Sequence, residues 1–326
     1  MPVIDVHTHI FTRPWLELLK RSGGLYNIQQ RPDGQFEVFR GQTPVVIPQA
    51  GHFDYDLRIA HMDAAGIDVS IMSLTCPNVF WGGEAVSCEA ARETNASLAQ
   101  AQARYPRRLR WFASLPWEYP ARAVEELRRA QAEGASGVMV LANVAGRSLT
   151  DPAFAPIWEV IDQEALPVLV HPTDPPGAEL MDMTQFDLSW AVGFMFDTTL
   201  AIARMMFDGF FDRFPRVPII ASHAGGALPY LAGRFAKGNE VEIPSRRKMR
   251  RQPIDYLRHI HYDCISYSPA ALQFLISVVG ADRVMFGTDW PHQVHDTAGA
   301  FANTATLPAE QREAVRGGNA ERLFKL

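Results

Sequence analysis

The sequence predicts a (β/α)8 barrel, the TIM barrel, from three observations. Eight apolar runs rich in β-branched residues recur along the 326 residues, with helix-like segments between them. The runs are continuously apolar rather than alternating, which is typical of parallel strands buried on both faces. The length is normal for one α/β barrel, and 47% of the residues are apolar, enough for a large core. We therefore expect residues 1–326 to form a single domain.

The eight predicted strands are these apolar runs. In chain order they cover residues 3–9, 69–75, 110–116, 137–142, 167–172, 217–223, 260–266 and 283–289. A strand–helix alternation repeated eight times predicts a closed parallel barrel, whose active site lies at the carboxyl ends of the strands.

Helix start and stop residues mark several of the segments between the runs. The segment 120–133 begins with proline and is followed by Gly134, and Asp151 before Pro152 caps a helix that runs to about residue 164. The other predicted helices cover residues 56–65, 84–105, 196–214, 228–237, 269–279 and 308–316.

Two connections break this alternation, and both follow the carboxyl end of a strand. The first is an insertion arm at about residues 23–54, rich in Gly, Gln and Pro. The second covers residues 173–193 and carries Met181, Met183, Phe186 and Trp190. A connection as long as the arm is usually a lid, a binding loop or an interface arm.

The composition disfavours two kinds of binding partner. The net charge of −5 favours neither nucleic acid nor a membrane surface, and no apolar run approaches the ~20 residues that span a bilayer. The three cysteines are far apart and form no CxxC pair, which is typical of reduced thiols. The first residues lack the basic and apolar regions of a signal peptide. We therefore expect a cytoplasmic protein.

His7 and His9 are the most informative residues of the chain. They lie two residues apart at the end of the first predicted strand, so both imidazoles point the same way. Neutral imidazole is a ligand suited to zinc and similar divalent ions. The alternative is a pair of surface histidines near the chain terminus.

Three further strand ends carry residues of the same chemistry: His171, His223 and Asp289. Each has an ordinary explanation as a rim residue or turn former, but a barrel brings all of them to one end. His7, His9, His171 and Asp289 then form a four-ligand site for a divalent metal that lowers the pKa of its bound water. Asp289 is also a candidate catalytic base.

His223 is the imidazole left for proton transfer; the alternatives are a fifth metal ligand or a residue that orients one. Asp263, on the seventh predicted strand, is a candidate to hold a ligand histidine through its second nitrogen. The alternative for Asp263 is a cap on a buried backbone group.

In these residues and their spacing, the chain resembles the amidohydrolase superfamily. Within it, the chain resembles the amidohydrolase 2 branch that contains 2-amino-3-carboxymuconate-6-semialdehyde decarboxylase. The resemblance covers nearly the whole chain and lies in the motifs Asp5-Val-His-Thr-His9, Leu169-Val-His171-Pro, Ser222-His-Ala-Gly-Gly226 and Gly287-Thr-Asp289-Trp-Pro291.

The resemblance implies a zinc-dependent, non-hydrolytic decarboxylation in which His223 activates a metal-bound water and manages the proton that replaces carbon dioxide. It also implies that Trp190 forms a wall of the substrate pocket. Arg234 matches a family arginine that reaches a neighbouring subunit's substrate carboxylate, which implies a homodimer or a higher homo-oligomer.

The chain departs from the family pattern at two arginines. No arginine occurs in the arm stretch at residues 42–48, although Arg40 lies close by, and a second family arginine falls on Glu242. A carboxylate there repels a dianionic substrate. The substrate then carries fewer or differently placed carboxylates, or is held by Arg31, Arg40 or Arg58.

The sequence thus predicts a metal-dependent decarboxylase of a carboxylated muconate semialdehyde or an aromatic acid. The alternative is a metal-dependent hydrolase or hydratase acting on a lactone or a ring-cleavage product. The two share every ligand, so the ligands do not distinguish them. A barrel that only stores metal is disfavoured, because an open ligand position is built for chemistry.

Overall fold

The computed structural model describes residues 1–31, 34–41, 43–175, 177–183, 185–241 and 248–326. Its main sheet has eight parallel strands, each hydrogen-bonded to the next in chain order, and it confirms the predicted barrel. The strands are β1 (Ile4–Ile10), β2 (Val69–Leu74), β3 (Leu109–Ala113), β4 (Gly137–Leu141), β5 (Val168–His171), β6 (Ile219–Ala221), β7 (His261–Asp263) and β8 (Val284–Met285).

The chain that continues from β8 closes the barrel against β1. The Val6 amide donates to the carbonyl of Phe286 at 3.0 Å, and the Asp289 amide donates to the carbonyl of His7 at 2.9 Å. The His9 amide in turn donates to the carbonyl of Trp290 at 2.8 Å. This closure places Asp289 beside the two histidines of β1.

Helices surround the strands, and all seven residues of β1 are buried beneath this cover, as a parallel barrel requires. None of the described helices combines the length and the apolar character needed to cross a bilayer. The α-helices are Arg13–Ser22, Tyr55–Ala65, Gly83–Arg104, Pro120–Ala132, Ala155–Glu164, Phe194–Phe207, Phe210–Arg213, Leu228–Glu240, Pro253–Leu257, Pro269–Val279, Thr297–Ala305, Ala309–Glu313 and Asn319–Phe324.

The helix predicted at residues 196–214 is two helices, because Gly209 adopts a left-handed φ of 72° that ends the first of them. The helices Arg13–Ser22, Pro253–Leu257, Thr297–Ala305 and Asn319–Phe324 were not predicted. Pro253–Leu257 and Asn319–Phe324 have only five and six residues, too few to show an apolar period, and Thr297–Ala305 begins at the side-chain cap of Asp296.

The insertion arm contains a three-stranded antiparallel sheet, which the sequence did not predict. Its strands are Tyr26–Gln30, Phe36–Arg40 and Thr43–Val46. Most of their residues are half-buried or exposed, so the strands lack the strict apolar alternation that marks a sheet with one buried face.

Seven of the eight predicted strands are longer than the observed ones, the last three by the widest margin. The ladders of β6 and β8 end before His223 and Asp289, and β7 ends at Asp263. His223 and Asp289 adopt left-handed φ angles of 53° and 64°, which L-residues rarely do outside turns. These turns redirect both side chains at the carboxyl end of the barrel.

Candidate active site

The two histidines of β1 meet the carboxylate of Asp289. Their Nε2 atoms lie 3.0 Å apart. The Asp289 Oδ1 atom is 3.0 Å from Nε2 of His9 and 3.5 Å from Nε2 of His7. Both histidines are fully buried, and Asp289 is nearly so. The i, i+2 spacing therefore brings the two imidazoles to one point, as predicted.

His171 and His223 complete this group. The His171 ring centre lies 4.7 Å from that of His9, and the His223 ring centre lies 5.0 Å from that of His7. Ligand atoms of His7, His171, His223 and Asp289 all lie within 4.8 Å of one another. The fold thus brings together the four histidines and Asp289, the five residues that the sequence predicted to meet at one end of the barrel.

The hydrogen bonds behind the histidines fix which nitrogen faces the centre. The Nδ1 atom of His7 lies 2.6 Å from the Asp263 carboxylate, and Nδ1 of His171 lies 2.8 Å from the carbonyl of Pro172. The Nδ1 atom of His9 lies 3.1 Å from Oγ of Ser73, whose hydroxyl donates to a backbone carbonyl. These partners assign the proton to Nδ1, so the Nε2 lone pairs face inward.

This electron-rich centre fits a divalent cation. Burial lowers the pKa of both His9 and His171 well below the ordinary value, which keeps them neutral. Burial works to raise the pKa of Asp289, but the adjacent imidazoles of His223 and His9 hold it well below its usual range. Inward lone pairs beside an ionised carboxylate repel one another unless a cation lies among them.

Asp263 supports two parts of the site, through a contact with the second nitrogen of His7 and through contacts with buried backbone amides. Its Oδ2 atom accepts from His7 Nδ1 at 2.6 Å and from the His223 amide at 2.8 Å. Its Oδ1 atom accepts from the amide of Ala224 at 2.9 Å. Burial opposes its ionisation, but the bond from His7 brings the pKa of Asp263 below its ordinary value. One carboxylate therefore orients His7 and holds the turn of His223.

His223 differs from the other histidines in its contacts. Its Nε2 atom lies 3.6 Å from Asp289 Oδ2. Its Nδ1 atom is buried and has no hydrogen-bond partner among the described residues. The Asp289 carboxylate thus turns one oxygen to the β1 histidines and the other to His223. This arrangement suits a group that moves a proton better than one fixed as a ligand.

Asp5 ties β1 to the segment that carries Asp289. Its carboxylate accepts from the Thr288 hydroxyl at 2.6 Å and from the backbone amides of Thr288 and His7, each at 3.2 Å. Burial raises the pKa of Asp5 to about 7. The folded protein therefore holds a proton on Asp5 that the unfolded chain releases near 3.8.

Replacing Asp5 with asparagine should flatten the pH dependence of stability of the metal-free protein. The contribution of Asp5 is fully present below the unfolded pKa of 3.8 and is lost as pH rises toward about 7. In Asp5→Asn the unfolding free energy should fall less steeply over that range, by up to about 1.4 kcal/mol per pH unit. Urea titrations across the range measure the slope, and an unchanged slope would contradict the assignment.

A cavity of about 620 Å³ opens above the histidines. Trp190, 49% exposed, lies in its lining, as the wall role requires. The arm contributes Val45 and Val46 to the same lining. His171, His223 and Asp289 also line the cavity, and most of its remaining wall is apolar. A ligand here therefore meets the polar cluster with one end and an apolar wall with the other.

The fold does not bring Arg40 to this cavity. Its Nη1 atom lies 3.9 Å from Asp174 Oδ2, and both residues line a neighbouring cavity. Arg31, a second candidate, donates to Glu37 at 2.9 Å on the arm sheet.

Arg58 also lies outside the lining of the cavity. It is buried, donates to the Thr8 hydroxyl at 3.0 Å and to the backbone carbonyl of His9, and its guanidinium lies 4.5 Å from the centre of the Trp290 ring. It therefore supports β1 from behind the site.

Arg234 lies exposed on the helix Leu228–Glu240, outside the cavity lining of its own chain. The departure predicted at Glu242 lies outside the described residues.

His292 lines the cavity, and sequence reasoning missed it. Its ring centre lies 4.6 Å from that of His9, and its Nε2 atom lies 3.1 Å from the Thr75 hydroxyl. Ligand atoms of His9, Asp289 and His292 lie within 4.8 Å of one another. The only available signal was the histidine three residues after Asp289.

A family model described as Amidohydrolase matches residues 4–326, nearly the whole chain. The chain belongs to the amidohydrolase family. It is 28% identical to 2-amino-3-carboxymuconate-6-semialdehyde decarboxylase from Dictyostelium discoideum over 97% of this chain and 90% of that protein. It is 33% identical to gamma-resorcylate decarboxylase from Rhizobium radiobacter over 83% of this chain and 87% of that protein.

A solved structure supports the same family placement. It is a dihydroxybenzoic acid decarboxylase from Polaromonas sp. JS666 with bound manganese and the inhibitor 2-nitroresorcinol. Its TM-score to this chain is 0.81 and its sequence identity is 27%, and the match covers 100% of this chain and 97% of that one. The overall fold is thus shared with this family member.

Proposed function

We propose that this protein is a metal-dependent, non-oxidative decarboxylase of an aromatic or related unsaturated carboxylic acid. The observation that carries the proposal is the cluster of four histidines and Asp289 at the polar end of an apolar cavity. The relatives of this amidohydrolase that are named as decarboxylases support the same chemistry.

His7, His9, His171 and Asp289 would hold the metal, because their inward atoms form the electron-rich centre. Zinc suits three imidazoles and a carboxylate, and the manganese in a related structure makes that ion the alternative. When bound, the ion polarises a substrate oxygen as a Lewis acid.

His223 supplies the proton that replaces carbon dioxide. Imidazole exchanges protons near neutral pH, and its Nε2 atom faces Asp289 at the cavity wall. The proton adds to the carbon that bears the carboxylate. The bond between that carbon and the carboxylate then breaks, its electron pair stays with the ring or diene, and carbon dioxide leaves. Asp289 keeps His223 oriented throughout.

Residues 1–326 act in this proposal as one domain, with the arm as a lid. Val45, Val46 and Ile47 line the cavity, so the arm covers the apolar end of the substrate. The three cysteines are unpaired, which supports the cytoplasmic location expected from the sequence.

The first test is carbon dioxide release by enzyme of measured metal content, with hydroxybenzoic acids, aminobenzoic acids and carboxymuconate semialdehydes as substrates. Release from any of these acids supports the lyase. If no acid releases carbon dioxide while one zinc is bound per chain, the proposal fails, and lactones and oxo-acids become the substrates to try.

We also propose a homodimer or higher homo-oligomer that shares its sites. Tyr230 is 82% exposed yet lines the cavity, and it lies one helical turn before the exposed Arg234. A second copy against this helix would present its Arg234 to the neighbouring cavity and attract a carboxylate there.

Arg234→Ala should raise KM about tenfold or more while kcat changes little, because it removes binding rather than proton transfer. Steady-state kinetics and light scattering measure the two effects. Arg107→Ala is the matched control, since Arg107 is exposed before β3 at the opposite end of the barrel. An unchanged KM in Arg234→Ala would remove the argument for a shared site.

A further inference from the structure

Asp197 is a buried carboxyl group that the proposed chemistry leaves unused. It lies in the first turn of the helix Phe194–Phe207. Its Oδ2 atom accepts from the backbone amide of Thr173 at 3.0 Å. The side-chain amide of Asn143 donates to both carboxylate oxygens, each at 3.1 Å. Three segments of the chain therefore meet at this one side chain.

Two of these segments lead directly to the wall of the active-site cavity. Thr173 follows His171 by two residues, and a π-helical turn that contains Trp190 runs straight into the helix of Asp197. His171 and Trp190 both line the cavity. The hydrogen bond from Thr173 to Asp197 thus closes the base of the connection that covers residues 173–193 and carries Trp190.

The third segment fixes the direction from which Asp197 is approached. Asn143 lies just beyond β4, and its Oδ1 atom accepts from the amide of Gly146 at 2.9 Å. Its nitrogen also donates to the carbonyl of Asp174 at 3.2 Å. These bonds turn the nitrogen of the Asn143 amide, rather than its oxygen, toward Asp197. A side chain that only accepts hydrogen bonds is the matching partner.

An apolar side chain would fill this space at a lower cost in stability. The partners of Asp197 are neutral amides, and burial raises the pKa of Asp197 to about 7 despite the hydrogen bonds from Thr173 and Asn143. A buried carboxyl group with neutral partners is desolvated without an opposite charge. What the carboxylate provides instead is two acceptors in fixed directions, which hold the three segments together.

The described middle of the connection has little other support. Leu180 is 93% exposed and Phe186 is 82% exposed. Met183 is the one buried side chain among those described at residues 177–188. A long segment with few buried side chains is ordered mainly through its ends. Loss of the contact at its base should therefore loosen the segment that carries the cavity wall.

We propose that Asp197 is a positioning residue, which ties the chain after His171 to the helix after Trp190 and so keeps the two walls of the cavity at the spacing that binds substrate. It acts through Thr173 and the Trp190 segment rather than by touching the substrate. The proposal rests on the proposed function for the identity of the cavity, but not for the reaction that takes place there.

Asp197→Asn keeps the size of the side chain and breaks the match. An amide that accepts from Thr173 turns its NH2 group toward the NH2 group of Asn143. KM for an acid that the enzyme turns over should rise about tenfold, the effect of one lost buried hydrogen bond, while kcat changes less than about threefold. Adding Asn143→Asp restores an acceptor opposite the new amide and should recover most of the loss in KM. Unchanged KM in the single variant, or a folded double variant no better than the single one, would overturn the role.

Asn95→Ala controls for a general loss of stability. Buried Asn95 makes the same kind of contact between a helix and a strand end, because it accepts from the amide of Ser114 and donates to its carbonyl, both at 2.9 Å. Neither residue lines the cavity. This variant should lower the urea midpoint of unfolding and leave KM unchanged. An equal rise of KM in Asn95→Ala and Asp197→Asn would mean that Asp197 acts only through overall stability, and would overturn the proposal.

Limited proteolysis tests the same contact without a substrate. Chymotrypsin cleaves after aromatic residues, and Phe186 lies exposed in the connection. Cleavage of metal-loaded protein at Phe186, followed by mass spectrometry, should be at least about fivefold faster in Asp197→Asn than in the wild type or in Asn95→Ala, and slower again in the double variant. Equal rates in all four proteins would overturn the proposal. Proteolysis reports on this inference even if no acid is decarboxylated, so its failure is distinct from failure of the proposed function.

Discussion

Replacing His223 with alanine should lower kcat by about 10²–10⁴-fold while the bound metal stays at the wild-type level. The Nδ1 atoms of His7, His9 and His171 are tied to the surrounding protein, whereas Nδ1 of His223 has no partner among the described residues. His223 therefore lacks the hydrogen bond at the second nitrogen that the other three histidines have. Initial rates and metal analysis of the same preparation measure both quantities.

The control for this prediction is His9→Ala, which should lose metal and turnover together. Its Nε2 atom lies 3.0 Å from both His7 Nε2 and Asp289 Oδ1, at the middle of the cluster. If His223→Ala also empties the site, His223 is a ligand and the division of roles is wrong. If His223→Ala keeps full activity, the proton comes from another group.

Asp263→Asn should reduce metal affinity about 10–100-fold and should also lower kcat when metal is saturating. The first effect follows because Asn cannot accept the His7 proton with a charged oxygen. The second follows because the same side chain accepts from the amides of His223 and Ala224, which hold a left-handed turn. Metal titration followed by kinetics at saturating metal separates the two effects.

Ser73→Ala provides the matched comparison. Ser73 contacts Nδ1 of His9 and the carbonyl of Thr8 but not the turn of His223. This variant should weaken metal binding and recover near-normal kcat at saturating metal. Wild-type metal affinity in Asp263→Asn, or an equal loss of kcat in Ser73→Ala at saturating metal, would contradict the double role of Asp263.

The barrel and the five clustered residues could be predicted because one rule connects them. Parallel strands of a closed barrel end at the same face, so histidines at the carboxyl ends of β1 and β5 and just beyond β6 meet although the sequence separates them widely. The prediction tolerated errors in strand length. His223 and Asp289 lie on left-handed turns rather than on strands, yet the turns leave them at the same face.

The features that the sequence did not predict depend on tertiary contacts, which leave no local pattern in the sequence. The arm sheet has few fully buried residues, so its strands lack a period, and His292 is one polar residue in a loop. Arg58 belongs to a residue type that is usually exposed, and only the structure reveals that it is buried against β1. Arg40 likewise gave no indication of its pairing with Asp174.

The central claim is that the enzyme breaks a carbon–carbon bond and adds a proton, with no water oxygen entering the organic product. The most direct measurement is a single reaction of metal-loaded enzyme in D₂¹⁸O with an acid that it turns over, followed by mass spectrometry of the product. The account predicts one deuterium at the carbon that lost carbon dioxide and no ¹⁸O in the product. A product that carries ¹⁸O and retains its carboxylate would contradict it and establish hydrolysis or hydration.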